Sequence, residues 1–323
     1  MRSETLQNRF NKIDENNSSF IRRFYIYQKE RFPFLGHGLL VASFSFSAIS
    51  YSRICRNAAG FVGLKIFFGG IFVTITLFFL VRIFDEFKDA LDDAMYRGEL
   101  PVPRGLISLR ELAIIAIVIA ILQIGVILLF FPQMLIIYFI VIGYLLLMGK
   151  EFFVPVWLKK HQFWYVTSHM FIIPLVDLYA SGLDWKLAGV QPAKGLLFFF
   201  AVSYMNGVVL EIGRKIRSPE LEARGVLTYS VMLGSNNAAL LWIIILAFTL
   251  GLSIAASVFA GYGMAALIVL SCVFLLCSLP ALIYFKHKSK FVSKAIEYAS
   301  ALWTIAMYLT LGGGPMITNL FFK

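Results

Sequence analysis

Of 323 residues, 59% are hydrophobic and 15% charged, against about 25% charged in soluble domains, so the chain as a whole is not a water-soluble globule. Its net charge of +11 would suit nucleic acid, but the basic residues gather in short segments between apolar runs, as in loops held on the cytoplasmic side of a membrane. Those runs are continuous rather than alternating, which excludes a membrane β-barrel. The fold class expected is an all-α polytopic membrane protein.

Residues 1–32 are polar, lack the apolar stretch of a cleavable signal and read as a cytoplasmic arm ahead of a membrane domain over 33–323. At about 20 apolar residues per crossing, that domain divides into nine predicted spans: 34–52, 62–84, 110–131, 133–149, 163–183, 195–213, 237–259, 262–285 and 293–320. With the N-terminus inside, 22 of the 29 Lys and Arg lie on cytoplasmic segments and 5 outside, which predicts the N-terminus in and the C-terminus out; a bacterial inner membrane is the expected setting. The first span carries His37, Ser43, Ser45, Ser47 and Ser50, and Pro132 marks a tight turn between the third and fourth. His169 and Asp177 fall near one face of the fifth, with Pro174 kinking it between them. Asn206 lies in the sixth, and Gly312, Gly313, Gly314 and Pro315 interrupt the ninth. Ionisable groups at membrane depth are costly, so His169 and Asp177 are site candidates, with an interhelical polar pair as the alternative for Asp177. The thiols Cys55, Cys272 and Cys277 have no metal or redox spacing.

The second span ends abruptly in Arg82-Ile-Phe-Asp85-Glu86-Phe-Lys88-Asp89-Ala-Leu-Asp92-Asp93. At 100° per residue, Asp85, Glu86, Asp89 and Asp93 share one helical stripe with Arg82, while Lys88 and Asp92 lie to the side. Carboxylates at this spacing repel, which points to a neutralising hard cation with oxygen ligands, Mg²⁺. The alternative is a mixed-charge helix end neutralised by Arg82, Lys88 and Arg97. A Pro/Gly loop through Pro101, Pro103 and Gly105 follows, and Ser108 with Glu111 predicts a capping box. A second polar cluster, after the sixth span, is basic: Glu211, Arg214, Lys215 and Arg217, then Glu220, Glu222 and Arg224. It reads either as an anion-binding surface, since Arg forks onto phosphate, or as an ordinary basic loop held by local ion pairs.

Asp85-Glu86-x-x-Asp89-x-x-x-Asp93 and the loop to Ser108 resemble the first motif of the UbiA superfamily of intramembrane prenyltransferases, Asn-Asp-x-x-Asp-x-x-x-Asp followed by an Arg-Pro-x-Pro-x-Gly-x-x-Ser loop. Asp85 stands for the usual Asn, Glu86 for the first Asp and Leu100 for the Arg. Gly225 and Thr228 look like the family's Gly-x-x-Thr-Leu-Pro stretch, but the aspartates of its second motif do not carry over. The resemblance implies a nine-helix UbiA-like bundle and Mg²⁺-dependent transfer of a prenyl group from an isoprenyl diphosphate to a lipid-soluble, aromatic acceptor. It implies Asp85, Glu86, Asp89 and Asp93 as catalytic metal ligands. Arg82, Arg97, Arg104, His169, Asp177, Asn206, Glu211, Arg214, Lys215 and Arg217 are the substrate-binding candidates beside them. Terpene cyclisation and phosphoribosyl transfer to a polyprenyl phosphate are related alternatives; a transporter and a non-catalytic prenyl-lipid binder are the non-enzymatic ones.

Overall fold

The computed structural model describes residues 18–222 and 226–321. Most of the N-terminal arm, Arg224 and Gly225 of the second cluster, and the last two residues lie outside the described residues. The described chain is helical, with no strand among the described residues. In order, its α-helices are α1 (Phe20–Arg31), α2 (Phe34–Cys55), α3 (Leu64–Lys88), α4 (Ala90–Tyr96), α5 (Leu109–Phe130), α6 (Leu135–Gly149), α7 (Pro155–Lys160), α8 (Gln162–Met170), α9 (Ile172–Trp185), α10 (Leu196–Arg214), α11 (Tyr229–Leu233), α12 (Ser235–Phe259), α13 (Gly263–Tyr284), α14 (Lys290–Tyr308) and α15 (Gly314–Phe321).

Among the described residues, eight helical stretches are long and apolar enough to cross a membrane, and they coincide with the first eight predicted spans to within a few residues. The ninth is composite. α14 is less apolar and runs through a π-turn, Leu309–Gly313, into α15. The fifth span is also split: α8 ends at Met170 and α9 restarts at Ile172. Pro174 explains the break, since its ring excludes the bond its nitrogen would donate to the carbonyl four residues earlier. At the start of α5, Ser108 accepts from the Glu111 N–H while the Glu111 carboxylate accepts from the Ser108 N–H, the predicted capping box.

α2 sits at the centre, against α3, α9, α10, α14 and the π-turn, whereas α5 is peripheral. Its serines explain the position. Ser45, Ser47, Ser50 and Ser52 are fully buried, and small side chains let membrane helices approach closely. The approach is tightest at the π-turn, where a Cβ on Gly312 would overlap the Ser47 backbone. Gly312→Ala is therefore expected to cost about 1–3 kcal/mol by overpacking, read as a lower thermal midpoint of the detergent-solubilised protein, while Gly36→Ala, which meets nothing within 4 Å, leaves the midpoint in place. At one end of the bundle the Asp184 carboxylate is buried and saturated: it accepts from Ser52 at 2.8 Å, Arg53 at 2.8 Å and Arg56 at 2.5 Å, tying α9 to α2.

The N-terminal segment is more than a solvated arm. α1 packs Tyr27 against Phe79, Ile83, Ile107 and Leu112 in a small core of its own. Salt links fix it on three sides, from Arg23 to Glu111 at 2.7 Å, Arg104 to Glu30 at 2.8 Å and Arg31 to Glu86 at 2.6 Å.

Candidate functional site

The ends of α3 and α10 and one face of α8, through Tyr165, His169 and Met170, enclose a charged cavity of about 740 Å³, roofed in part by the loop after α4. Both polar clusters of the sequence meet there. The acidic stretch does not form one continuous stripe, however. α3 stops at Lys88, Asp89 leaves the helix at φ −92°, ψ 4°, and α4 starts afresh. The four carboxylates consequently separate into two pairs. Asp85 and Asp89 line the cavity, with side chains 29% and 38% exposed. Glu86 and Asp93, at 0% and 4%, turn away toward α1.

Each pair already has its cations. Arg31 Nε and Arg82 Nη2 donate to the same Glu86 oxygen, at 2.6 and 3.1 Å. Asp93 accepts from Arg97 at 3.1 Å and lies 3.9 Å from Arg31. Lys88 Nζ stands 3.3 Å from Asp85 and 3.9 Å from Asp89, and donates to the Tyr165 hydroxyl at 2.8 Å. Desolvation holds Asp89 and Asp93 above the usual carboxylate range, so their charge is costly here and the bound cations offset it. Among the described residues no three His, Cys, Asp or Glu side chains converge as a metal-binding group. As the side chains stand, this donor set does not fit the expected four-carboxylate Mg²⁺ seat. The glutamate and one aspartate are spent on arginines, and an ammonium lies between the other two.

The opposite wall is basic. Glu211, 5% exposed, is clamped by Arg214 at 2.5 Å and Lys215 at 2.6 Å, two cations on one carboxylate. Arg217 follows, its N–H donating to Ser230 and its carbonyl accepting from Tyr284. Among the described lining residues, eight cationic side chains face five carboxylates, so the cavity attracts anions.

His169 also lines this cavity. Its ring stacks on Tyr165 at 4.1 Å, and its Nδ1 lies 2.8 Å from the Tyr165 carbonyl. A carbonyl only accepts, so Nδ1 carries the proton and Nε2 presents a lone pair. That nitrogen is buried with no hydrogen-bond partner among the described residues.

A second, mostly apolar pocket of about 270 Å³ opens beside the first and shares Arg31, Arg82, Asp85 and Arg214 with it. Val41, Phe44, Phe78 and Leu210 line its sides, with Asn206 and Tyr308 among them. Asn206 accepts from Trp303 Nε1 at 3.1 Å. That bond fixes its amide with the NH₂ turned elsewhere, and the NH₂ has no partner among the described residues.

Two candidates fall outside. Arg104 joins Glu30 and the Glu99 carbonyl, fastening α1 rather than lining either cavity. Asp177 is fully buried on α9 and lines neither cavity. Neither oxygen meets a hydrogen-bond partner by strict distance and angle among the described residues, but the Ser203 hydroxyl of α10 lies close enough to interact with the carboxylate, a polar contact between neighbouring helices of the kind expected. Sequence reasoning missed Arg31, assigned to the arm, and the aromatic Tyr165 and Tyr308. It noted Lys88 only as a neighbour of the acids, though an ammonium at i+3 from Asp85 was a usable signal.

No protein-family model matches the sequence, and no curated protein matches it. Solved structures do match. The apo structure of a UbiA homolog from Aeropyrum pernix K1 superposes with a TM-score of 0.64 at 13% identity, over 86% of this chain and 97% of that one. A structure described as a digeranylgeranylglyceryl phosphate synthase in membranes gives 0.53 at 16% identity, over 88% and 98%. Both alignments cover more than four fifths of this chain and nearly all of the other, and the chain therefore has the UbiA fold.

Proposed function

We propose that this protein binds an isoprenyl diphosphate in the two joined cavities and transfers its prenyl group to a lipid-soluble acceptor within the membrane. One observation carries the reading: a cationic cavity at the end of the bundle opens directly into an apolar pocket among the helices, the outline of a molecule with an anionic head and a hydrocarbon tail. The UbiA fold and the prenyl-lipid chemistry named for the synthase with that fold support it.

Arg214, Lys215 and Lys88 bind and orient the diphosphate, and their charge stabilises the negative charge that grows on the leaving oxygen. The C1–O bond breaks with its electron pair going to diphosphate, which leaves an allylic cation. Phe44 and Phe78 present ring faces on which such a cation is stabilised, and the apolar lining excludes water. The acceptor's nucleophilic atom forms the new bond to C1 and releases a proton, for which His169 Nε2 is the available lone pair.

The test is a membrane assay with labelled prenyl diphosphates of several chain lengths. Bound donor and diphosphate release are expected from the wild-type protein. Arg214→Gln, at a side chain 57% exposed and with Lys215 still 2.6 Å from Glu211, should weaken donor affinity at least about tenfold. A folded protein that binds none of the prenyl diphosphates overturns the reading. Cyclised hydrocarbon in place of a prenylated acceptor would move the activity to the cyclase alternative.

A further inference from the structure

The cation between Asp85 and Asp89 is part of the chain. Lys88 Nζ lies within 3.3 and 3.9 Å of those carboxylates, in the place where a hard metal ion carrying a diphosphate would draw its two protein ligands. Its side chain is only 8% exposed, and the Tyr165 hydroxyl holds it from the other side at 2.8 Å. The remaining acids cannot complete a metal site without giving up arginines: Glu86 is shared by Arg31 and Arg82, and Asp93 is held by Arg97. Across the cavity the usual carboxylates are replaced by Arg214 and Lys215, which have only Glu211 between them.

We infer that this site holds a diphosphate head directly on basic side chains, with the Lys88 ammonium taking the place of a divalent cation, so that binding does not require metal. Asp85 and Asp89 are positioning residues that fix the ammonium. Its three donors and point charge suit phosphate oxygens, and the arginine fork on the facing wall grips a second phosphate edge. Excess positive charge in the lining then does what the metal does in a carboxylate-lined cavity, where an unaided diphosphate would be repelled. The inference rests on the diphosphate reading above and is separable from it.

The experiment is calorimetric titration of the full-length protein in lipid nanodiscs with farnesyl thiolodiphosphate, a non-hydrolysable prenyl diphosphate analogue, in EDTA and in excess MgCl₂. The wild-type dissociation constants in the two buffers should agree within about threefold. Lys88→Met should bind about tenfold or more weakly in EDTA and recover in MgCl₂, because the vacated carboxylates then accept the metal. Lys88→Arg keeps the charge and should keep binding in EDTA. If Lys88→Met does not fold, Arg214→Ala is expected to show the same loss in EDTA. Wild-type binding that appears only with MgCl₂ overturns this inference and leaves the prenyl-diphosphate reading standing. Binding in neither buffer overturns both. An unchanged affinity for Lys88→Met in EDTA removes Lys88 from the role.

Discussion

Replacing His169 with phenylalanine is expected to lower prenyl transfer about 10²–10⁴-fold, the usual range for loss of a positioned proton acceptor. Affinity for the prenyl diphosphate should stay nearly constant. The substitution keeps an aromatic ring to stack on Tyr165 and removes only the nitrogens, so the change isolates the lone pair from the packing. A pH–rate profile distinguishes this role from a structural one. An acceptor nitrogen must be unprotonated to work, so wild-type turnover falls on the acidic side as the imidazole takes up a proton. The residual rate of His169→Phe should lack that acidic limb. A variant that transfers prenyl groups at the wild-type rate would remove His169 from the mechanism.

The second large effect concerns stability. Arg31→Ala leaves Glu86, whose side chain is fully buried and whose second oxygen already has no partner among the described residues, with Arg82 alone. Breaking a buried ion pair from one side typically costs about 3–5 kcal/mol, and the low end applies because Arg82 remains at 3.1 Å. Chemical denaturation of the detergent-solubilised protein reads the loss. Adding Glu86→Gln should recover most of it, since the uncompensated charge goes with the carboxylate, and the double-mutant cycle gives the coupling directly. Equal stability of Arg31→Ala and wild type would mean that α1 is held by Tyr27 and its neighbours alone.

The fold was largely readable before any coordinates. Apolar run length and the lopsided distribution of Lys and Arg place eight crossings within a few residues, and Ser108 with Glu111 marks the start of α5 correctly. The site was readable in outline only. Helical periodicity puts Asp85, Glu86, Asp89 and Asp93 on one stripe because it assumes the helix continues. The chain leaves the helix at Asp89, and the burial of Glu86 and Asp93 against arginines depends on α1, whose docking through Tyr27 has no periodic signature. Asp177 invited a partner on the general cost of charge in a membrane, but which residue it meets, Ser203 of α10, is set by helix packing that has no sequence signal. Arg31 shows the limit most plainly: it entered as one of many basic residues in an arm and proved to stand at the cavity, brought there by packing between segments more than 50 residues apart.

The contact between Gly312 and the Ser47 backbone bears on how the protein is made. Among the described spans α2 precedes the others in the chain, and its backbone at Ser47 is met by the π-turn that follows α14. About 265 residues separate the two positions, so at translation rates of about 5–20 residues per second α2 waits roughly 13–53 s in the membrane before its closing neighbour exists. Throughout that interval the Ser47 backbone faces lipid or transient company, and this close contact forms only when the segment bearing Gly312 inserts beside it.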